Sequence, residues 1–314
     1  MEFYLLLIAG QMMLGLAHFT HKLFSRKTGS FLPTGALYSA LISLFSLPIF
    51  AILAGKAIAI DGEIAFYAIL YGVLASLSQV MIFIAFSKVN MVVYSVFAKS
   101  SSILVCIAGF TFFGDKVTFS SVLSILLLSA AIVLPLLQIK KTEGGKSGLV
   151  SFIICLVIML NGFFIQLTVK GFTELARTTT ERASALYFYA NIITALSLFL
   201  FLFFIIRKKR QSENEELSQG GVNEYRVGLS SVVKRVPPLY YILIPITATI
   251  ANIPCVTNAY CLMNMSMSVY MIVLNAAESL VLFSISRFIF REKMGKIDVF
   301  SLILSTAAGI VTVF

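Results

Sequence analysis

Apolar residues along this chain gather into runs of about 20, the length a helix needs to cross a hydrocarbon core, and polar breaks separate them. Ten such spans can be read: 3–24, 33–56, 63–86, 90–113, 118–138, 147–170, 180–206, 239–263, 266–290 and 296–314. The one long polar interval, 207–236, carries Arg207, Lys208, Lys209 and Arg210 and then Glu213, Glu215 and Glu216, the polarity of a solvated loop. Within the spans, polar residues recur at helical spacing. Ser95, Lys99, Ser102 and Cys106 fall at i, i+4, i+7 and i+11 on the fourth span, one stripe of a helix. Met271, Asn275, Glu278 and Leu282 form a similar stripe on the ninth, and Tyr187, Asn191 and Thr194 on the seventh. Gln11 with His18, Ser76 with Gln79, Asn161 with Thr168, and Asn252 add polar points on the first, third, sixth and eighth.

Lys99 and Glu278 stand apart from the rest. Each is an ionisable residue deep within an apolar span, where a charge costs roughly 2.5–3.5 kcal/mol on insertion scales. Lys99 lies roughly 13 Å from the start of its span at 1.5 Å per residue, too deep to reach the interface by snorkelling. Residues of this kind mark solute or ion pathways. The competing reading is a structural ion pair that clamps two helices together.

Composition sharpens the class. Apolar types make up 59% of the 314 residues, charged residues only 12%, and the mean hydropathy is +0.97. A soluble domain has about 25% charged residues, so an all-α, multi-pass protein of the cell (cytoplasmic or inner) membrane is expected. The net charge of +10 then belongs to loops facing anionic lipid and cytosol, not to nucleic-acid binding. The loops after the odd-numbered spans hold 18 Lys and Arg residues against 5 on the other side. By the positive-inside rule the richer side is cytosolic, which places both termini outside. The first span lacks a basic leader and a small-residue cleavage site, so a removable signal peptide is not expected.

The two halves of the chain, 1–141 and 142–314, resemble each other. Residues 114–134 (GDKVTFSSVLSILLLSAAIVL) align with 291–311 (REKMGKIDVFSLILSTAAGIV) at an offset of 177, which matches Lys116 with Lys293, Ser124 with Ser301, and Ala131 with Ala308, and sets Asp115 opposite Glu292. A repeat of five spans inserts its second copy upside down, a recurrent transporter plan with a site near the membrane midplane.

No catalytic chemistry is legible. There is no HExxH helix, no GxSxG elbow, no P-loop and no paired intramembrane carboxylates. His18 and His21 at i, i+3 lack a third ligand, and the cysteines (Cys106, Cys155, Cys255, Cys261) lie inside apolar spans without a CxxC pair. No cofactor and no metal are expected.

The stretches FFGDKVTFSSVLSILLLSAAIVL (112–134) and FIFREKMGKIDVFSLILSTAAGIV (288–311), each with an acidic residue followed by a basic one where the repeat enters its last helix, resemble the EamA-type branch of the drug/metabolite transporter superfamily. The resemblance implies ten helices in two inverted five-helix repeats. It also implies a central cavity lined by the first, third, fourth, sixth, eighth and ninth spans. Two features depart from the family pattern: the loop charges place the termini outside, and the usual glycine of the last helix is kept as Gly309 but replaced by Ile132 in the first half.

The expected activity is secondary transport of a small polar or amphipathic metabolite by alternating access, with an amino-acid-like zwitterion favoured over nucleosides or cationic drugs. Lys99 would hold a carboxylate or phosphate, and Glu278 an amine or a coupling proton. Gln11, Gln79, Ser95, Ser102, Asn161, Tyr187, Asn191, Asn252 and Asn275 complete the candidate site. The partners are then the solute, the bilayer and protons, in a monomer or homodimer. The rival of another class is a non-transporting scaffold whose Lys99–Glu278 pair only locks the fold. The orientation is open to direct test: a cysteine placed in 207–236 is expected to resist a membrane-impermeant thiol reagent in intact cells, while one at either terminus reacts. The opposite pattern would defeat the charge argument.

Overall fold

A computed structural model describes the chain apart from residues 1, 29–30, 89–90, 143–145, 176–178, 219–228, 290, 292–294 and 314. Among the described residues every regular element is helical. The helices are α1 (Glu2–Lys27), α2 (Leu32–Ala54), α3 (Gly62–Lys88), α4 (Met91–Phe112), α5 (Phe119–Thr142), α6 (Lys146–Leu175), α7 (Thr180–Ser218), the short α8 (Leu229–Arg235), α9 (Pro238–Asn264), α10 (Met267–Ser284) and α11 (Lys296–Val313). A 3-10 turn (Gly55–Ile58) extends α2, and a π turn (Ile285–Ile289) extends α10. By length and composition six of these, α1, α2, α3, α6, α7 and α9, can cross a bilayer, and α4, α5, α10 and α11 each carry a shorter apolar helical stretch. The protein is therefore a membrane-embedded helical bundle.

One boundary differs from expectation. The loop expected from residue 207 begins as helix, because α7 continues to Ser218. The stretch is rich in Lys, Arg, Gln and Glu, strong helix formers.

The distribution of polarity is the reverse of a soluble bundle. On α1 the exposed stripe is Leu5, Ile8, Met12 and Leu16, whereas Gly10, Gln11, Gly15, Ala17 and His21 face inward. On α6 the outer stripe is Ile153, Leu156, Leu160 and Phe164, and the inward side carries Asn161 and Thr168. Helices surrounded by lipid gain nothing by hiding leucine, so they associate through small residues and interhelical hydrogen bonds. The close contacts follow that rule. A Cβ on Gly15 would collide with a Val281 methyl on α10, and one on Gly10 with the Thr257 hydroxyl on α9, so the close seating of α1 depends on the missing side chains at these positions.

In the packing, α2 lies along α7, α5 along α11 and α4 against α10; α1 packs on α9 and α10, α3 on α6 and α7, α6 on α4, and α9 on α2. Aromatic layers fill the bundle on either side of its middle. Phe24 stacks on Tyr38 at 4.1 Å with Phe83 and Tyr240 edge-on, near the end where α1 stops. Phe50, Tyr71 and Tyr187 pack together nearer the other end.

A tie from the first half starts α10. The turn after α4 passes through Gly114 at φ +69, and Asp115 Oδ2 then accepts the backbone N–H of Ser268 at 2.7 Å, satisfying one of the donors that a helix leaves open in its first turn. Cys106 on α4 donates to the Ser268 carbonyl at 3.8 Å. Asp115→Ala is expected to cost about 1 kcal/mol, as loss of a capping side chain does, and Asp115→Asn, which keeps an acceptor, to cost less. Thermal unfolding of the purified protein in detergent reads this. Equal melting temperatures for wild type and Asp115→Ala would show that the cap contributes nothing.

Candidate functional site

The inward polar residues concentrate near the middle of the helices. Gln11 on α1 is fully buried and donates through Nε2 to Asn258 Oδ1 on α9 at 3.0 Å. Asn161 on α6 donates through Nδ2 to the Leu74 carbonyl of α3 at 3.0 Å. Gln79 on α3 accepts the Ser39 hydroxyl of α2 at 3.2 Å, and Thr194 on α7 donates to the Gly72 carbonyl of α3 at 3.1 Å. These bonds join helices, as amides and hydroxyls do inside membranes.

Glu278 is buried on α10, and its Oε1 stands 3.9 Å from His18 Nε2 on α1. That separation is within ion-pair range and beyond a direct hydrogen bond. The side chains of Lys99 and Ser95 lie outside the described residues. Their helix, α4, packs against α10, so the two expected charges sit on neighbouring helices.

The other candidates divide into two groups. Asn191 donates to the Tyr187 carbonyl at 2.8 Å and Asn275 to the Met271 carbonyl at 2.7 Å, each one turn back on its own helix. Tyr187 is buried in the aromatic layer with Phe50 and Tyr71. By contrast, Gln11 Oε1, Asn161 Oδ1, Asn252 Nδ2, Ser102 Oγ and the Tyr270 hydroxyl oxygen are buried with no hydrogen-bond partner among the described residues. An unmatched buried polar group costs several kcal/mol in an apolar surrounding. A set of them, drawn from α1, α6, α9, α4 and α10, is suited to a polar solute or to water.

Two of these partnerships cannot be read from the sequence. Asn258 shares its apolar span with Asn252 and carries no pattern of its own. His18 was placed on the Gln11 stripe at i, i+7 but not matched with Glu278, because nothing in a linear chain says that α1 and α10 touch. His21, one turn on, has a separate environment: its Nδ1 lies 2.7 Å from the Ala17 carbonyl and its ring stands edge-on to Tyr38 at 5.5 Å. No group of three His, Cys, Asp or Glu side chains gathers among the described residues.

Lys170 also departs from expectation. It was counted with the loop charges, but α6 continues past it to Leu175 and buries it. Its Nζ donates to the Leu262 carbonyl in the last turn of α9 at 3.1 Å and pairs with Glu174 at 2.6 Å, a cation on the open carbonyls of a helix end. Lys22 on the richer side is buried too, so the loop imbalance remains. A groove of about 270 Å³ opens where α1 begins, between Phe3, Tyr4, Asn264, Met265, Ser266 and Val269. Val269 is nine residues from Glu278, roughly 13 Å along the helix, so the groove is separate from the polar middle.

No protein-family model matches this chain, and no curated protein matches it in sequence. Among solved structures, a chain titled "Crystal structure of protein" aligns over 99% of this chain and 95% of its own with a TM-score of 0.58 at 12% identity. At that identity the likeness concerns the fold alone.

The Gln11–Asn258 bond is expected to couple the two residues energetically. In a double-mutant cycle of Gln11→Leu and Asn258→Leu, the interaction should come to about 0.6 kcal/mol and not beyond about 1.7 kcal/mol, the range for hydrogen bonds between membrane helices. Strictly additive changes in unfolding free energy would mean that the bond is not formed in the membrane.

Proposed function

We propose that this protein is a secondary transporter for a small polar metabolite, working by alternating access of two inverted five-helix halves, with an amino-acid-like zwitterion as the favoured solute. The observation that carries this reading is the set of buried polar atoms without a hydrogen-bond partner among the described residues, Gln11 Oε1, Asn161 Oδ1, Asn252 Nδ2 and Ser102 Oγ, together with the buried carboxylate of Glu278. The helices that supply it are α1, α4, α6, α9 and α10, all of them among the cavity-lining helices that a resemblance to EamA-type transporters implies.

The packing supports the two-halves reading. Exchange of α1 with α6, α2 with α7, α3 with α9, α4 with α10 and α5 with α11 turns the contact α1–α9 into α6–α3, α1–α10 into α6–α4, and α3–α7 into α9–α2. Each of those contacts is present. Between α5 and α11, Ser301 Oγ donates to the Ala131 carbonyl, and the residues equivalent to these at the offset of 177, Ser124 and Ala308, are buried in the same interface.

In this mechanism Glu278 holds the solute's amine or the coupling proton, Lys99 on α4 holds its carboxylate, and the amides of Gln11, Asn161 and Asn252 bond the remainder. Binding at the midplane, between aromatic layers, lets one end open while the other stays packed. Solute at a hundred times its dissociation constant stabilises the folded state by about 2.7 kcal/mol through mass action, so a thermal-shift screen of L-amino acids on purified protein is expected to yield stabilising solutes. Lys99→Met and Glu278→Gln are each expected to abolish uptake of such a solute into proteoliposomes while leaving the protein folded. Wild-type uptake by both variants, or no stabilising solute, would refute the reading.

A further inference from the structure

His18 has no role in the transport reading above, yet it is the ionisable residue that the structure places against Glu278, at 3.9 Å across the contact of α1 with α10. The two helices belong to different halves. Three residues before His18, Gly15 presses on Val281, three residues after Glu278, with no room for a Cβ. The ionisable pair therefore lies beside a close approach of α1 to α10.

We propose that His18 and Glu278 together form one proton-carrying site bridging the two halves, and that loading this site with a second proton releases α1 from α10. The inference rests on the transport reading and adds the residue and the contact through which a proton would act. A histidine partner differs in kind from a lysine or arginine, because an imidazole gains and loses its proton near neutral pH. With one proton the pair is either an ion pair or two neutral groups, and it carries no net charge in either case. The second proton, taken from the water on the open side, neutralises Glu278 and leaves His18 cationic, so the attraction across the contact disappears. Passing that proton to the water on the other side restores it. At 3.9 Å the two side chains attract without a direct hydrogen bond to each other, which would need the atoms closer.

The other titratable groups on the elements packed here are Glu2, Tyr4, His21, Lys22, Arg26 and Lys27 on α1, Tyr94, Lys99 and Cys106 on α4, Tyr240, Tyr241, Cys255, Tyr260 and Cys261 on α9, and Tyr270 on α10 with Arg287 in its π turn; of these Lys22, buried one turn after His18, is a cation on the same helix. On α3 they are Glu63, Tyr67, Tyr71 and Lys88, all at or towards its ends, and those of α5 and α11 lie in their terminal turns.

The test needs no solute. Nitroxide labels on Leu16→Cys of α1 and Leu280→Cys of α10, both lipid-facing, go onto a background in which the native cysteines are replaced by alanine. Electron–electron resonance then reads their separation in nanodiscs at pH 8 and at pH 5. The separation in the otherwise wild-type protein should differ between the two pH values by about 2 Å or more, the scale of helix shifts at switching interfaces. The difference should vanish in His18→Gln and in Glu278→Gln, and persist in Glu278→Asp, which keeps the carboxylate and guards against a variant that does not fold. A pH-invariant separation in the labelled parent, or a full shift in either glutamine variant, overturns the proposal. Solute transport with an invariant separation would leave the transport reading standing, and a proton-dependent separation without any transported solute would remove that reading alone.

Discussion

Polar groups that cannot reach water must find partners inside the protein, and for a bundle in hydrocarbon this requirement replaces the hydrophobic effect as the organising force. The arrangement of the helices follows from it. Leu5, Ile8, Met12 and Leu16 are turned outward because lipid accepts them at no cost, and Gln11 is turned inward because Asn258 is there to bond it. The same logic puts serines and glycines at the contacts: Ser39, Ser43 and Ser46 are buried on α2, which lies along α7, and Ser301 and Ser305 on α11, which lies along α5. Helices approach closely there because little side chain intervenes.

A bundle held this way packs aromatic side chains toward its ends and polar ones in its middle. Toward one end the aromatic side chains of Phe24, Tyr38, Phe83 and Tyr240 interlock, and toward the other Phe50, Tyr71 and Tyr187 do so. Between them lie a buried carboxylate and amides, some of whose polar atoms have no hydrogen-bond partner among the described residues. Burying such groups merely to hold helices together would be wasteful, since an apolar interface of the same shape avoids the desolvation. Their presence argues for a polar occupant of the midplane.

Much of the fold was legible in the chain because apolar length and helical periodicity are local properties. The expected span 239–263 and the helix Pro238–Asn264 agree within a residue at each end, although Pro245 and Pro254 lie inside the helix. The stripe that carries Asn275 and Glu278 could be read from spacing alone. What could not be read is which helices touch. The partner of Glu278 on α1 is 260 residues away in sequence, and no periodicity carries that information. Asn191 and Asn275 looked like binding residues for the opposite reason: a linear reading cannot tell an amide aimed across the bundle from one folded back onto the carbonyl one turn below. The run from Arg207 to Glu216 was read as loop because polarity argues against burial, but helix formation depends on propensity as well.

The midplane residues gain their meaning from the helix that bears Glu278. α10 is fixed at its start by groups from the first half: the Asp115 carboxylate on the Ser268 N–H and the Cys106 thiol on the Ser268 carbonyl. At its other end the regular helix gives way to a π turn over Ile285–Ile289, where the α-helical ladder of hydrogen bonds is broken and a helix bends easily. Val281 lies between Glu278 and the π turn, pressed against Gly15 of α1, and Ile285 at the start of the π turn is buried beside the same glycine, so a bend at the turn must pass through the α1–α10 contact. Any change in attraction between His18 and Glu278 therefore acts on α10 where the helix yields, while the capped end keeps it in register with the first half.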